Sequence, residues 1–131
     1  MTECGAAVAC VGGLAYDDDG RILLVRRRNE PGRGLWSVPG GRVEPGETDT
    51  QAVIREMEEE TGLVVEPGPL IGRVRRGLYD IADYRCAVVG GTLRAGDDAT
   101  EVRWCDAAAL ANLQLVPLLV DTLRSWDALP R

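Results

Sequence analysis

An α/β or α+β fold, with a sheet packed between helices, is the architecture this sequence predicts. Three observations predict it. Short apolar runs rich in valine, isoleucine and leucine recur between turn signals built from glycine, proline and aspartate. One strongly marked helix interrupts them near the middle of the chain. Two further helical stretches follow the last strand-like run. No internal repeat, low-complexity tract or internal boundary divides the 131 residues, so 1–131 is expected to form a single domain.

Ala6 to Tyr16 and Arg21 to Arg28 read as strands, and the Asp-Asp-Asp-Gly between them is a strong hairpin signal. Asn29 to Gly34 holds Pro31 and two glycines and reads as a loop. Leu35 to Val38 is a short strand leading into a Pro39-Gly40-Gly41 turn. A helix is expected from about Asp49 to Thr61. Thr48 caps it, Gln51 completes a capping box, Asp49 suits the positive end of the helix dipole, and Gly62 stops it. Leu63 to Glu66 and Leu70 to Arg76 read as two strands broken by Pro67-Gly68-Pro69. Tyr84 to Val89 is a further strand, and Glu101 to Cys105 a short alternating one. Asp106 caps a helix over Ala107 to Asn112, and Leu118 to Trp126 forms the last helical stretch.

The central helix concentrates the chemistry. Four of the five residues from Glu56 to Glu60 are glutamates. At roughly 100° per residue, Val53 and Met57 share one face with Ile54 at its edge, while Glu56, Glu59 and Glu60 gather within an arc of roughly 100° beside it. Like charges at such spacings repel, and a cation relieves the repulsion. Hard divalent cations, Mg²⁺ or Mn²⁺, take oxygen ligands of this kind together with substrate phosphates. Arg55 lies one turn from Glu59 and within reach of Glu47, placed to orient one carboxylate without neutralising all three. Taken alone, the acidic run also suits a solvated helix face.

The surrounding residues extend the pattern. From Gly41 the chain reads Gly, five residues, Glu47, seven residues, Arg55-Glu56, Met57, one residue, Glu59-Glu60, one residue, Gly62 and Leu63. This stretch resembles the Nudix box, with no fixed position departing from it, and the chain resembles a Nudix hydrolase over nearly its whole length. The resemblance implies a mixed sheet sandwiched between helices. It implies Mg²⁺ or Mn²⁺ held by Glu56, Glu59 and Glu60 with the backbone carbonyl of Gly40, while Glu47 orients Arg55 or a water. Glu101, in the segment TEVRWCD, resembles a late acidic position that supplies another ligand or a general base. The alternative is an exposed glutamate at a strand end. The proton of the attacking water falls to Glu59 or Glu101.

The implied reaction is hydrolysis of a diphosphate linked to another group. ADP-ribose or a related nucleotide sugar is the favoured substrate, a (d)NTP, including oxidised forms, the second, and a non-catalytic nucleotide-binding regulator a distant third. Arg27 corresponds to an arginine that touches substrate in related hydrolases, and strand alternation puts it on the face opposite Arg26 and Arg28. Arg42 follows the glycine turn and can meet a phosphate. Trp36 and Trp104 can stack on a base or pack in the core. Tyr79 and Tyr84 flank Asp80 to Asp83 in what reads as a substrate loop. Homodimers are common in the family the chain resembles.

Composition narrows the partners. The net charge of −6 disfavours broad nucleic-acid or acidic-membrane binding, so a small-molecule nucleotide must be met by local cations. Without histidine, Ser-His-Asp and Cys-His mechanisms and His-ligated zinc are excluded. All 15 basic residues are arginines, which suits bidentate phosphate contacts and also reflects genome composition. Cys4, Cys10, Cys86 and Cys105 form no CxxC pair and read as free thiols of a reducing, cytoplasmic protein. The apolar run from Gly5 to Tyr16 is too short to cross a bilayer and follows Glu3 instead of a basic region, so it reads as a buried strand.

Overall fold

The computed structural model describes residues 7–131, so Cys4 and the first residues of the opening apolar run lie outside the described residues. In chain order the first half holds β1 (Val8–Ala15), β2 (Ile22–Arg27), β3 (Trp36–Ser37), β4 (Gly40–Arg42) and α1 (Asp49–Thr61). The second holds β5 (Leu63–Arg76), β6 (Tyr79–Gly91), β7 (Ala99–Cys105), α2 (Ala107–Asn112) and α3 (Leu119–Ser125). The strands build two sheets. One is four-stranded and mixed, in the order β4-β1-β6-β5, with β1 parallel to β6 and the other pairs antiparallel. The other is antiparallel, in the order β3-β2-β7.

Helices cover both faces of the mixed sheet. Successive strand residues face opposite ways. A Cβ at Gly13 would meet Met57 of α1, so that face carries the central helix. The neighbouring Gly12 pairs with Asp83, which pairs with Gly72, so these three share the opposite face. There a Cβ at Gly72 would collide with Trp126 at the end of α3. The core divides accordingly. Val11, Ala15, Ala52, Val53, Met57, Val65 and Cys86 pack beneath α1, while Leu14, Ile22, Leu24, Trp36, Cys105 and Leu123 pack on the other side. Among the described residues, no helix is long and apolar enough to cross a membrane.

Four expectations need correction. The Asp-Asp-Asp-Gly segment turns the chain, with Asp17 N–H donating to the Arg21 carbonyl at 3.0 Å, but β1 and β2 share only the Tyr16–Ile22 bridge. Both edges of β1 are occupied by β4 and β6, so β2 departs into the second sheet. Pro39-Gly40-Gly41 is not a turn: Gly40 and Gly41 pair with Gly12 and Val11, and the chain crosses between sheets just ahead of them. Pro67-Gly68-Pro69 does not break β5. Register shifts absorb it, and β5 is an edge strand, where a proline forfeits no ladder hydrogen bond on the open side. Tyr79 to Tyr84 is strand, not loop, because the reversal comes at Gly77, whose φ of 57° suits a glycine.

Candidate active site

α1 forms where its local signals place it. The Thr48 side chain accepts from the Gln51 amide at 3.2 Å, Gln51 returns the bond to the Thr48 amide at 2.9 Å, and Gly62 ends the helix at φ 75°. Tyr84 Oη donates to Asp49 Oδ2 at 2.9 Å, tying the first turn to β6, so its hydroxyl serves the scaffold. Val53 and Met57 are buried as expected, but Ile54 is 39 % exposed, and Ala52 and Thr61 complete the buried face.

The burial of that face carries Glu60 inward, where only 7 % of the residue meets solvent. Gly40 N–H donates to Glu60 Oε1 at 3.1 Å. Burial pushes the Glu60 carboxyl up to about 7, opposed by that hydrogen bond and reinforced by the nearby charges of Glu56 and Asp98. Burial also raises Glu56, while Arg55 pulls it down. Glycine at 41 leaves room for Glu56, since a Cβ there would meet its carboxylate.

Arg55 is the hub. Its Nε and Nη2 donate to the two oxygens of Glu47 at 2.7 and 2.9 Å, Nη1 to Glu56 at 3.0 Å and Glu59 at 3.1 Å, and Nη2 also to the Arg42 carbonyl at 3.0 Å. It thus engages two of the three clustered glutamates as well as Glu47. Two hydrogen bonds from Arg55 and one from the Glu44 amide hold the Glu47 carboxyl down to about 2. The same pairing raises Arg55 above its ordinary value.

The arrangement fits a hard divalent cation. All the donors are oxygens, and buried Glu60 has one carboxylate oxygen with no protein partner among the described residues. The described carboxylates do not already stand as a three-residue cage. Arg55 occupies the middle of the group, so a bound ion needs Glu56 and Glu59 to turn toward Glu60.

The remaining expected site residues separate into three groups. Arg42 and Tyr79 come together, the guanidinium lying 5.9 Å from the ring centre. Trp36 is 6 % exposed in the core and unavailable for stacking, because β3 lies beside β2 with Leu115 bridged to its other side. Trp104 packs against the cluster beneath α1. Glu101 is exposed on β7 and bound to Arg26 at 2.9 Å. Arg26, Arg27 and Arg28 all border one groove, with Arg26 and Arg28 exposed and Arg27 partly buried.

Asp98 escaped the sequence reading. Gly96 N–H bonds the Glu60 carbonyl at 2.9 Å and Asp97 N–H the Glu59 carbonyl at 3.2 Å, fixing this acidic loop against the end of α1. The Gly96-Asp97-Asp98 run just ahead of β7 was its available signal. Of the cysteines, Cys86 and Cys105 are buried and Cys10 partly so; all three are free, and burial pushes the Cys86 thiol up to about 12.

Comparison with known proteins places this geometry among relatives. The NUDIX domain pattern matches residues 7–125. The chain is 42 % identical over 103 residues to an ADP-ribose pyrophosphatase of Methanocaldococcus jannaschii, covering 74 % of this chain but only 61 % of that protein. It is 31 % identical over 121 residues to the CTP pyrophosphohydrolase of Escherichia coli, covering 85 % of each. In three dimensions it resembles the MutT protein from Methanosarcina mazei Go1, with a TM-score of 0.78, 23 % identity and 96 % of both chains covered. That last likeness concerns the fold alone.

Proposed function

The chain belongs to the NUDIX domain family, and from that premise we propose that it is a divalent-metal-dependent pyrophosphohydrolase acting on ADP-ribose or a related nucleotide sugar. The observation that carries this reading is the Arg55 hub, which braces Glu47, Glu56 and Glu59 next to buried Glu60. Glu56, Glu59, Glu60 and the Gly40 carbonyl are the ligands we assign to Mg²⁺ or Mn²⁺. When bound, the ion offsets phosphate charge and lowers the pKa of a coordinated water.

The protein's own groups do the positioning. Glu47 fixes the Arg55 fork, and Arg55 in turn orients Glu56 and Glu59. Gly40 N–H keeps Glu60 turned toward the glycine strand. Glu59, whose side chain is 44 % exposed and holds a single hydrogen bond to Arg55, is the carboxylate assigned to take the proton of the attacking water. Glu101 is occupied by Arg26. Water then adds to one phosphorus, the bridging oxygen leaves with the other phosphate, and ADP-ribose yields AMP and ribose 5-phosphate. Arg42, beside Tyr79, is assigned to the substrate diphosphate.

A second reading, conversion of a nucleoside triphosphate to a monophosphate and pyrophosphate, is supported by the 85 % mutual coverage with the E. coli CTP pyrophosphohydrolase. Incubation with Mg²⁺ and a panel of ADP-ribose, NADH, diadenosine polyphosphates, CTP, dNTPs and 8-oxo-dGTP separates the two. AMP with ribose 5-phosphate supports the first. Pyrophosphate with a nucleoside monophosphate moves the assignment to the second. No product from any substrate would overturn the enzymatic reading.

A further inference from the structure

Across the middle of the mixed sheet, Gly40, Gly12, Asp83 and Gly72 are register partners in that order. One carboxylate therefore stands in a row of three glycines, on the face opposite α1. Trp126 fills the space over Gly72, and a Cβ at Gly12 would collide with Asp83 Oδ1. The carboxyl thus leans over Gly12, toward the strand whose Gly40 N–H holds Glu60 at 3.1 Å. One strand spacing, about 5 Å, separates Gly12 from that strand.

No group of the protein completes this carboxyl. Asp83 is buried, burial alone shifts its titration, and it has neither a hydrogen bond nor an ion pair among the described residues. Arg85, two residues on and on the same face, lies 4.6 Å over the Tyr16 ring instead. No cluster of three metal-ligating side chains forms among the described residues. A carboxyl without partners is costly to bury, and such departures from core chemistry concentrate at functional sites.

The adjacent row on the same face has the opposite character. Val74, Ile81, Cys10 and Arg42 are register partners; the first three are apolar and partly exposed, and Arg42 is exposed. α3 meets this face along β5, where Arg76 donates to Thr122 at 2.8 Å and Trp126 covers Gly72. A flat ring resting on Ile81 and Cys10 has one edge at Asp83 and Arg42 at its side, where the diphosphate is assigned. What satisfies the carboxyl must bring an N–H donor and no negative charge, which describes a base and not a phosphate.

We propose that Asp83 determines base specificity by accepting a hydrogen bond from the exocyclic amine of the substrate's base. This role presupposes a nucleotide substrate and specifies its base as adenine, guanine or cytosine, which carry that amine.

Calorimetric titration of the full chain in metal-free buffer tests it, with pairs of mononucleotides that differ by the amine alone. The pairs are AMP with purine riboside 5′-monophosphate, GMP with IMP, and CMP with pyrimidin-2-one riboside 5′-monophosphate. In at least one pair the wild type should bind the amino member about 10-fold tighter or more, and that pair identifies the base. Asp83→Ala should reduce the preference to about 2-fold or less. Asp83→Asn, which keeps an acceptor oxygen, should retain about 3-fold or more. A merely structural role would move the melting temperature and leave the preference unchanged. Equal affinities within every pair, or no binding by the wild type, would overturn the assignment. So would an undiminished preference in Asp83→Ala, or an Asp83→Asn protein no more selective than Asp83→Ala. Turnover with Mg²⁺ is measured separately: selective binding without cleavage contradicts only the enzymatic reading, and cleavage without selectivity contradicts only the role of Asp83.

Discussion

Arg55 and Arg26 both pair with glutamates, and the two sites differ in almost everything else. At the helix the Arg55 side chain is 23 % exposed and its partners Glu47 and Glu56 are 18 % and 12 % exposed. In the groove Arg26 is 44 % and Glu101 53 % exposed. Water and salt screen the second pair, so its geometry is one of several the side chains can adopt. Around Arg55 the lower dielectric strengthens each contact, and every donor of the fork has an assigned acceptor. The same residue chemistry therefore builds a fixed constellation in one place and an exchangeable contact in the other. Burial, and not pairing as such, separates the braced constellation from the exchangeable surface pair.

The largest expected effect lies inside the constellation. Glu60→Gln should lower turnover by more than about 100-fold, while circular dichroism and the melting curve stay close to wild type, since glutamine keeps the volume and still accepts from Gly40. A steady-state assay that found activity within a few fold of wild type would remove Glu60 from the metal site.

Arg55→Ala should follow, with turnover reduced about 10- to 100-fold and stability lowered by about 2 kcal/mol in urea melts, because largely buried Glu56 loses its cation. Arg55→Lys should recover little of either, since one ammonium cannot replace a fork that holds three carboxylates. Full rescue by lysine would mean that charge alone, without the fork, organises the site.

Asp83 sharpens the comparison as a buried carboxylate that lacks such an arginine. It is 8 % exposed, without a hydrogen-bond partner among the described residues, and burial pushes it up to about 6. A carboxyl raised in this way contributes stability that is fully present below its unfolded value near 3.8 and is lost as pH rises through about 6. Asp83→Asn, which cannot ionise, should therefore gain on the wild type by about 2 kcal/mol between pH 4 and pH 8. A stability difference independent of pH would show that Asp83 is already compensated.

The smallest effect is expected at the exposed pair. A double-mutant cycle on Arg26 and Glu101 should give a coupling energy below about 1 kcal/mol in thermal melts, shrinking further in salt. A coupling as large as that of Arg55 with Glu47 would erase the distinction between the two regions.

What was legible in the sequence follows the same division between local and distant causes. α1 was readable to the residue because Thr48, Gln51 and Gly62 act within one turn of the helix they bound. The box glutamates were legible as a cluster from spacing alone, and Asp106 announced α2 in the same way. The hairpin reading failed because the partners of β1 lie at Gly40–Arg42 and Tyr79–Cys86, which no local turn signal encodes. Trp36 could stack on a base or pack in the core, and the packing of β3 beside β2 places it in the core. Glu101 carried the right residue type, yet its cross-strand neighbour Arg26 decides where its charge rests.

We assign a divalent ion to the braced glutamates of α1. Mn²⁺ titration followed by electron paramagnetic resonance tests it without relying on any substrate. The account predicts saturable binding by the wild type and at least about 10-fold weaker binding by Glu60→Gln. Equal Mn²⁺ affinity in the two proteins would contradict it.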